Sequence, residues 1–246
     1  MDLLSTFVHP NWPAPANVRA FTTTRSGGVS LPPYDELNLG MHVHDDHEVV
    51  LENRAILTAL LPEEPFWLEQ VHGVKVLDLD HPDFEPEQAD ASFSRNAGKV
   101  CCVMTADCLP VLLTNKQGTV VAAVHAGWRG LLEGVIENTV KAMAESPGDL
   151  LAWLGPAIGP TAFEVGSEVR DLFMAEDVNA DAAFEKSRLG KYHANIYQLA
   201  RLRLARLGVT DVYGGDLCTF HDEDRFFSFR REKMTGRMAT LIWMES

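Results

Sequence analysis

His72, Cys108 and His125 each follow an apolar run that ends abruptly in polar or reactive residues. Phe66-Trp67-Leu68 leads to Glu69-Gln70-Val71-His72-Gly73, Val100–Met104 to Thr105-Ala106-Asp107-Cys108, and Val120–Val124 directly to His125. Runs of strand length, rich in β-branched or small residues, predict buried strands. A strand that stops at such groups presents them at a sheet edge, on backbone rigid enough to hold chemistry. Two imidazoles and one thiol make the donor set of a catalytic zinc site, which leaves a fourth position open. The same side chains also suit a cysteine nucleophile, Cys108, with His125 as base. Their spacing matches no C-x-x-C or H-E-x-x-H pattern, so the residues alone leave both readings open.

Other groups could serve such a site. Arg25 precedes Ser26-Gly27-Gly28, where glycines let backbone approach a ligand and Arg25 could meet an anion; a plain tight turn explains them equally. Asn38-Leu39-Gly40 begins another loop. His42, His44 and His47 invite a second metal site, but Asp45, Asp46 and Glu48 among them point to a solvated acidic segment. Asp90, just ahead of the central strands, could orient a ligand histidine or serve as a turn residue. Arg129 lies in His125-Ala126-Gly127-Trp128-Arg129-Gly130, directly before a helix expected over residues 131–145. Free amides at a helix start and a guanidinium make an anion site, with phosphate the obvious candidate. Trp128 is expected in the core.

The elements that must position these groups follow from pattern. Strands are expected over residues 18–24, into His72, and over 74–79, 150–154, 209–213 and 238–244. An amphipathic helix should run from a cap at Asp45 or Asp46 to about Leu61, stopped by Pro62. Further helices are expected after a cap at Ser167 and over Ile196–Leu207, the latter ended by Gly208. Residues 84–88 read as loop, and 176–192 as a polar, Ala-rich surface segment. Strands and helices intersperse without regular βαβ alternation, which predicts a mixed α/β (α+β) fold with helices outside mixed sheets.

At 246 residues the chain suits one domain over 1–246. It carries 35 acidic against 21 basic residues, a formal charge of −14. That disfavours a general nucleic-acid binder, though a local arginine cluster could still hold an anion. No run approaches the roughly 18–20 apolar residues of a membrane span. The first residues lack the basic and long apolar regions of a signal peptide, and four cysteines, two adjacent, suggest no disulfide framework. A cytoplasmic monomer with no membrane or nucleic-acid partner is expected. No G-x-G-x-x-G, Walker A or G-x-S-x-G element occurs.

The motifs QVHG (70–73), TADCLPVLL (105–113), HAGWRG (125–130) and GPAIGPTAFEVG (155–166), in this order, resemble the YfiH family, also called the laccase-domain or multicopper polyphenol oxidoreductase family. TTTRSGGVS (22–30) and CTFHDEDRFFSFRREKMTGR (218–237) extend the likeness over nearly the whole chain. The resemblance implies a single-domain α/β/β/α layered fold and a metal held by His72, Cys108 and His125. It implies a zinc-dependent purine nucleoside phosphorylase acting on adenosine, inosine and S-methyl-5′-thioadenosine, with adenosine deaminase activity. Zinc would then activate water for attack at the purine C6, or polarise an oxygen during glycosidic cleavage. Purine nucleoside and phosphate are the implied partners, and Arg25, Asn38, Asp90 and Arg129 the candidate substrate-side residues. Two alternatives stay open: a copper-dependent polyphenol oxidase, and a cysteine hydrolase or amidase acting on peptidoglycan precursors. The chain has Phe220 and Phe229 where the family commonly has Tyr, and Asn195 where it often has Asp, so two hydroxyls and one charge are missing.

Overall fold

The computed structural model describes residues 3–81 and 88–246. The loop expected at 84–88 lies, but for Gln88, outside the described residues.

Six strands form the central sheet: β2 (Val76–Asp78), β3 (Ala91–Ser94), β5 (Leu109–Asn115), β6 (Val121–Ala126), β7 (Leu150–Leu154) and β11 (Asp211–Gly214). Their order is β11-β7-β5-β6-β3-β2. The outer pairs β11–β7 and β2–β3 are parallel and the inner ones antiparallel, so the sheet is mixed. A second sheet, ordered β1-β12-β4, is antiparallel and made of β1 (Val18–Thr22), β4 (Cys101–Thr105) and β12 (Met238–Met244). A small third sheet pairs β8 (Glu164–Gly166) and β9 (Phe184–Lys186) on either side of β10 (Lys191–Ala194).

Strand alternation sorts the side chains into layers. On β5 and β6, Leu109, Val111, Leu113, Ala122 and Val124 pack against α3 (Val135–Met143) and α5 (Ile196–Leu207). On the opposite face, Leu112, Val121 and Ala123 meet Cys101, Val103 and Ile242 of the three-stranded sheet. That sheet turns Phe21, Cys102, Met104 and Leu241 outward to Leu57 of α1 (His47–Thr58) and to Leu37 and Leu39. The order is helices, sheet, sheet, helix, as the α/β/β/α expectation required. No helix among the described residues is long and apolar enough to cross a membrane.

Several local expectations are corrected. No strand runs into His72; residues 66–69 make only single bridges, Phe66 to Cys101 and Glu69 to Gln88. The amides of residues 71–73 donate to the Asp90 carboxylate instead of a ladder. The helix expected over 131–145 starts earlier and is broken: α2 (Trp128–Glu133) is capped by Gly127 and ends at Gly134, whose φ of 99° turns the chain into α3. Gly166, not Ser167, caps α4 (Ser167–Glu176). Asp46, one of the two expected caps, caps α1 by accepting from the Glu48 amide, but the helix ends at Thr58 rather than near Leu61. The 176–192 segment is mostly surface, as its polarity predicts, but Ala180 and Ala183 within it are buried, and it includes β9 and half of β10. A last short helix, α6 (Phe229–Glu232), follows the buried pair Phe226-Phe227.

Candidate metal centre

The centre forms where the two sheets end together. Cys108 sits in the turn joining β4 of one sheet to β5 of the other, and His125 near the end of β6. His72 enters from the loop before β2. The Sγ of Cys108 is 3.7 Å from Nε2 of His72, and the two imidazole rings meet edge to face at 4.8 Å. One ligand atom from each of the three lies within 4.8 Å of the others, so they could hold a metal ion.

Local backbone is bent to bring this about. His72 (φ 61°) and Asp107 (φ 89°) occupy the left-handed region, which non-glycine residues enter at a cost of order 1–3 kcal/mol. Each is fixed by a carboxylate. Asp90, fully buried, accepts from the amides of Val71, His72 and Gly73 and clamps that loop. Asp107 accepts from the Thr219 hydroxyl at 2.7 Å and the Arg230 amide at 2.6 Å. HAGWRG also shows its purpose in the spacing of its glycines. A Cβ on Gly127 would lie 2.9 Å from His72 Cδ2 and 3.1 Å from Cys108 Sγ, and one on Gly130 2.7 Å from the Gly73 carbonyl oxygen. Both positions are open so that α2 can press on the ligand loop.

The electrostatics favour a thiolate. Burial alone would push the Cys108 thiol up, but His125 and His72 outweigh it and bring it down to about 6. Burial disfavours charge on His125 as well, yet Cys108 and Asp90 raise it to about 9. Nδ1 of His125 lies 2.7 Å from Oδ1 of Asp90, which leaves Nε2 for the centre. Burial opposes charge on Asp90, but His125 and the amides of Gly73 and Val71 hold it below the usual carboxylate range. This is the carboxylate–histidine arrangement that orients metal ligands. Neighbouring corners of a zinc tetrahedron are roughly 3.3–3.8 Å apart for bonds of 2.0–2.3 Å, and the Cys108–His72 separation already falls in that span. The donor set therefore fits a metal of the zinc or copper type.

Residues 19–245 match the family described as multi-copper polyphenol oxidoreductase laccase. The chain belongs to this family. Among the family's members it is 58% identical to the purine nucleoside phosphorylase YfiH of Shigella flexneri and 57% to that of Escherichia coli (strain K12). Both alignments run over 243 residues, covering 98% of this chain and all of each relative. The solved structure of Neisseria meningitidis protein NMB0706 superposes with a TM-score of 0.95 at 48% identity, covering 98% of this chain and 100% of that one. YlmD from Geobacillus stearothermophilus gives 0.90 at 30% identity, covering 98% and 96%.

Around this laccase-family centre the structure separates the other sequence candidates. Arg129 stands at the rim, its guanidinium 4.6 Å from the centre of the half-buried Trp128 ring. Asp90 touches protein groups only, behind His125. Asn38 is fully buried: its Oδ1 accepts from the Gly40 and Arg237 amides and its Nδ2 donates to Asp45. Arg25 lies apart, beside Asp35 and Glu232 and over the Phe227 ring, in a cavity lined with carboxylates.

Two chambers open onto the three candidate ligands. One, of about 200 Å³, has apolar walls from Trp128, Ile158, Phe163, Ile196 and Phe229, with Arg129 and Arg230 beside them. The other, of about 290 Å³, contains all three ligands with His42, Thr105 and Arg237. His72, Ala106, Cys108 and Phe229 border both. Sequence reasoning set His42 aside with His44 and His47 and passed over Thr105, Arg230 and Arg237. His42 lies four residues after Asn38, which holds the Arg237 amide across 199 residues of sequence. The signal available was the unexplained Arg-rich end of the last motif.

Proposed function

We propose that this protein is a zinc-dependent purine nucleoside phosphorylase whose reaction is carried out between these two chambers. The observation that carries the reading is the meeting of a His72–Cys108–His125 centre with arginines that lack acidic partners. Among the described residues Arg129, Arg230 and Arg237 form no ion pair. In a chain of charge −14 such a cluster singles out an anionic co-substrate. The relatives named purine nucleoside phosphorylase support the same choice.

In this reading His72, Cys108 and His125 hold the zinc, and Asp90 keeps the His125 proton on Nδ1. When bound, zinc supplies Lewis acidity that polarises an oxygen of its fourth ligand. The apolar chamber takes the purine between Trp128, Phe163 and Phe229, and Arg129 at the rim draws phosphate towards the centre. A phosphate oxygen bonds to C1′ as the N9–C1′ bond breaks, and the proton that hydrogen phosphate gives up passes, directly or through water, to a nitrogen of the leaving purine. Adenosine, inosine and S-methyl-5′-thioadenosine are the proposed nucleosides, with deamination of adenosine to inosine as a companion activity.

Incubation with adenosine, with and without phosphate, tests the reading. Adenine and ribose 1-phosphate should form only with phosphate, and inosine and ammonia in either case. Metal analysis of protein purified without added metal should give about one zinc per chain. A second reading has its own observation: Asp90, His125 and Cys108 stand in the order of a catalytic triad with a lowered thiol. Full activity in metal-free protein, with cleavage of a peptidoglycan precursor and none of adenosine, would establish that cysteine hydrolase instead. The copper oxidase reading is weaker, because the described residues hold one group of three metal donors, too few for several coppers.

A further inference from the structure

Thr105 is the last residue of β4 and 2% exposed, yet its hydroxyl has no hydrogen-bond partner. Buried hydroxyls are almost always paired, so an orphan on a cavity wall marks a place where a ligand completes the structure. Its neighbours in the 290 Å³ chamber sharpen the chemistry. Arg237 is half-buried and uses Nη1 on the Thr235 and Gly236 carbonyls; no other nitrogen of its guanidinium has a protein acceptor among the described residues. Burial lowers its pKa by more than Cys108 and Asp107 raise it, the mark of a cation short of solvent. The His42 ring likewise makes no hydrogen bond among the described residues, whereas Gln70 is locked by two bonds to the Met104 backbone. The free polar groups of this chamber are thus one hydroxyl, one guanidinium and one imidazole, all able to donate, with no carboxylate among the lining residues.

We propose that the His42–Thr105–Arg237 chamber is a seat for a tetrahedral oxyanion, filled by inorganic phosphate on the opposite side of Cys108 from Arg129. Three donor-bearing side chains lining one chamber, from a loop, a strand end and the residue before another strand, suit an anion with several acceptor oxygens. Asn38 sets the geometry, since it fixes the Arg237 amide while its own loop leads directly to His42. The assignment rests on the phosphorylase reading for its purpose: phosphate here would face a nucleoside in the apolar chamber across the ligands. Arg129, exposed to solvent, then guides the anion in rather than holding it.

Calorimetric titration of the zinc-loaded full chain with inorganic phosphate tests the seat directly. Wild-type protein should bind one phosphate per chain. Thr105→Val, nearly isosteric, should weaken binding about tenfold, the loss of one charge-assisted hydrogen bond. Thr105→Ser should restore most of it, and Arg237→Gln should weaken it more than Arg129→Ala does. Thermal melts check that each variant is folded; the Thr105 pair decides the matter if Arg237→Gln is not. Wild-type affinity in Thr105→Val, a loss confined to Arg129→Ala, or no phosphate binding by the wild type overturns the seat. Binding of the expected pattern without release of adenine from adenosine would keep the seat and sink the phosphorylase reading. Phosphate-dependent adenine release indifferent to Thr105→Val would do the reverse.

Discussion

Cys101 and Cys102 lie in the middle of the molecule, and Cys108 six residues later lies at its chemical end. All three belong to one unbroken stretch, β4 and the turn that follows it, yet their thiols are driven in opposite directions. In β4, Cys101 faces the other sheet and Cys102 the α1 side. Burial pushes Cys101 up to about 12 and Cys102 up as well. Cys108 is just past the strand, where the sheet gives out and two histidines approach, and its thiol falls to about 6. Burial is not what distinguishes them; the partners are. In the strand interior the Ser92 hydroxyl near Cys101 and the Arg54 guanidinium acting on Cys102 are too weak to offset burial. A strand end can be met by a loop from elsewhere, here the one clamped by Asp90.

The largest consequence is in reactivity. With its pKa lowered by two histidines, Cys108 favours the thiolate near neutral pH, whereas burial keeps Cys101 a thiol, so the two differ greatly as nucleophiles. Brief treatment of metal-stripped, folded protein with iodoacetamide should label Cys108 and leave Cys101 and Cys102 untouched, as peptide mass spectrometry will show. Added zinc should block the labelling. Equal labelling of all three would break the comparison.

Asp90 is the residue on which the difference turns, because it holds both the ligand loop and His125. Asp90→Asn keeps the size but exchanges an acceptor-only group for one that also donates. A change behind a metal-bound histidine typically costs about 10–100-fold in metal affinity, measurable by competition with a chromophoric chelator. Unchanged affinity would reduce Asp90 to a clamp for the amides of residues 71–73.

The same contrast explains what could be read from sequence. The strand β12, the helix α5 with its Gly208 stop and the three ligands are local signals: an apolar run, a 3.6-residue period, a reactive residue after a strand. The layered order of sheets and helices came through the family likeness and is confirmed by the packing. What escaped depends on distant contacts. No strand is expected over β5, where Pro110 is a residue that disfavours central strands; in the fold Pro110 pairs with His125 near the end of the sheet. The extended stretch before His72 looked like a strand, but its amides turn to Asp90. Thr105 could be placed at a strand end, but no local pattern says that its buried hydroxyl goes unpaired beside a cavity that Arg237 also lines.

The smallest expected effect lies on the inert side of the comparison. Cys102 is 1% exposed and packs with Phe21, Leu37 and Leu57 between the three-stranded sheet and α1. Cys102→Ala removes one sulfur from that core and leaves a small void, so stability should fall by about 1 kcal/mol. For a chain of this size that lowers the melting temperature by roughly 2–4 °C. Metal content and Cys108 labelling should stay at wild-type levels, because the side chain points away from the inter-sheet face and from the ligands. Loss of zinc in this variant would mean that β4 transmits its packing to the turn at Asp107, and that the two cysteine environments are mechanically joined. A melt and a metal assay on one preparation settle which holds.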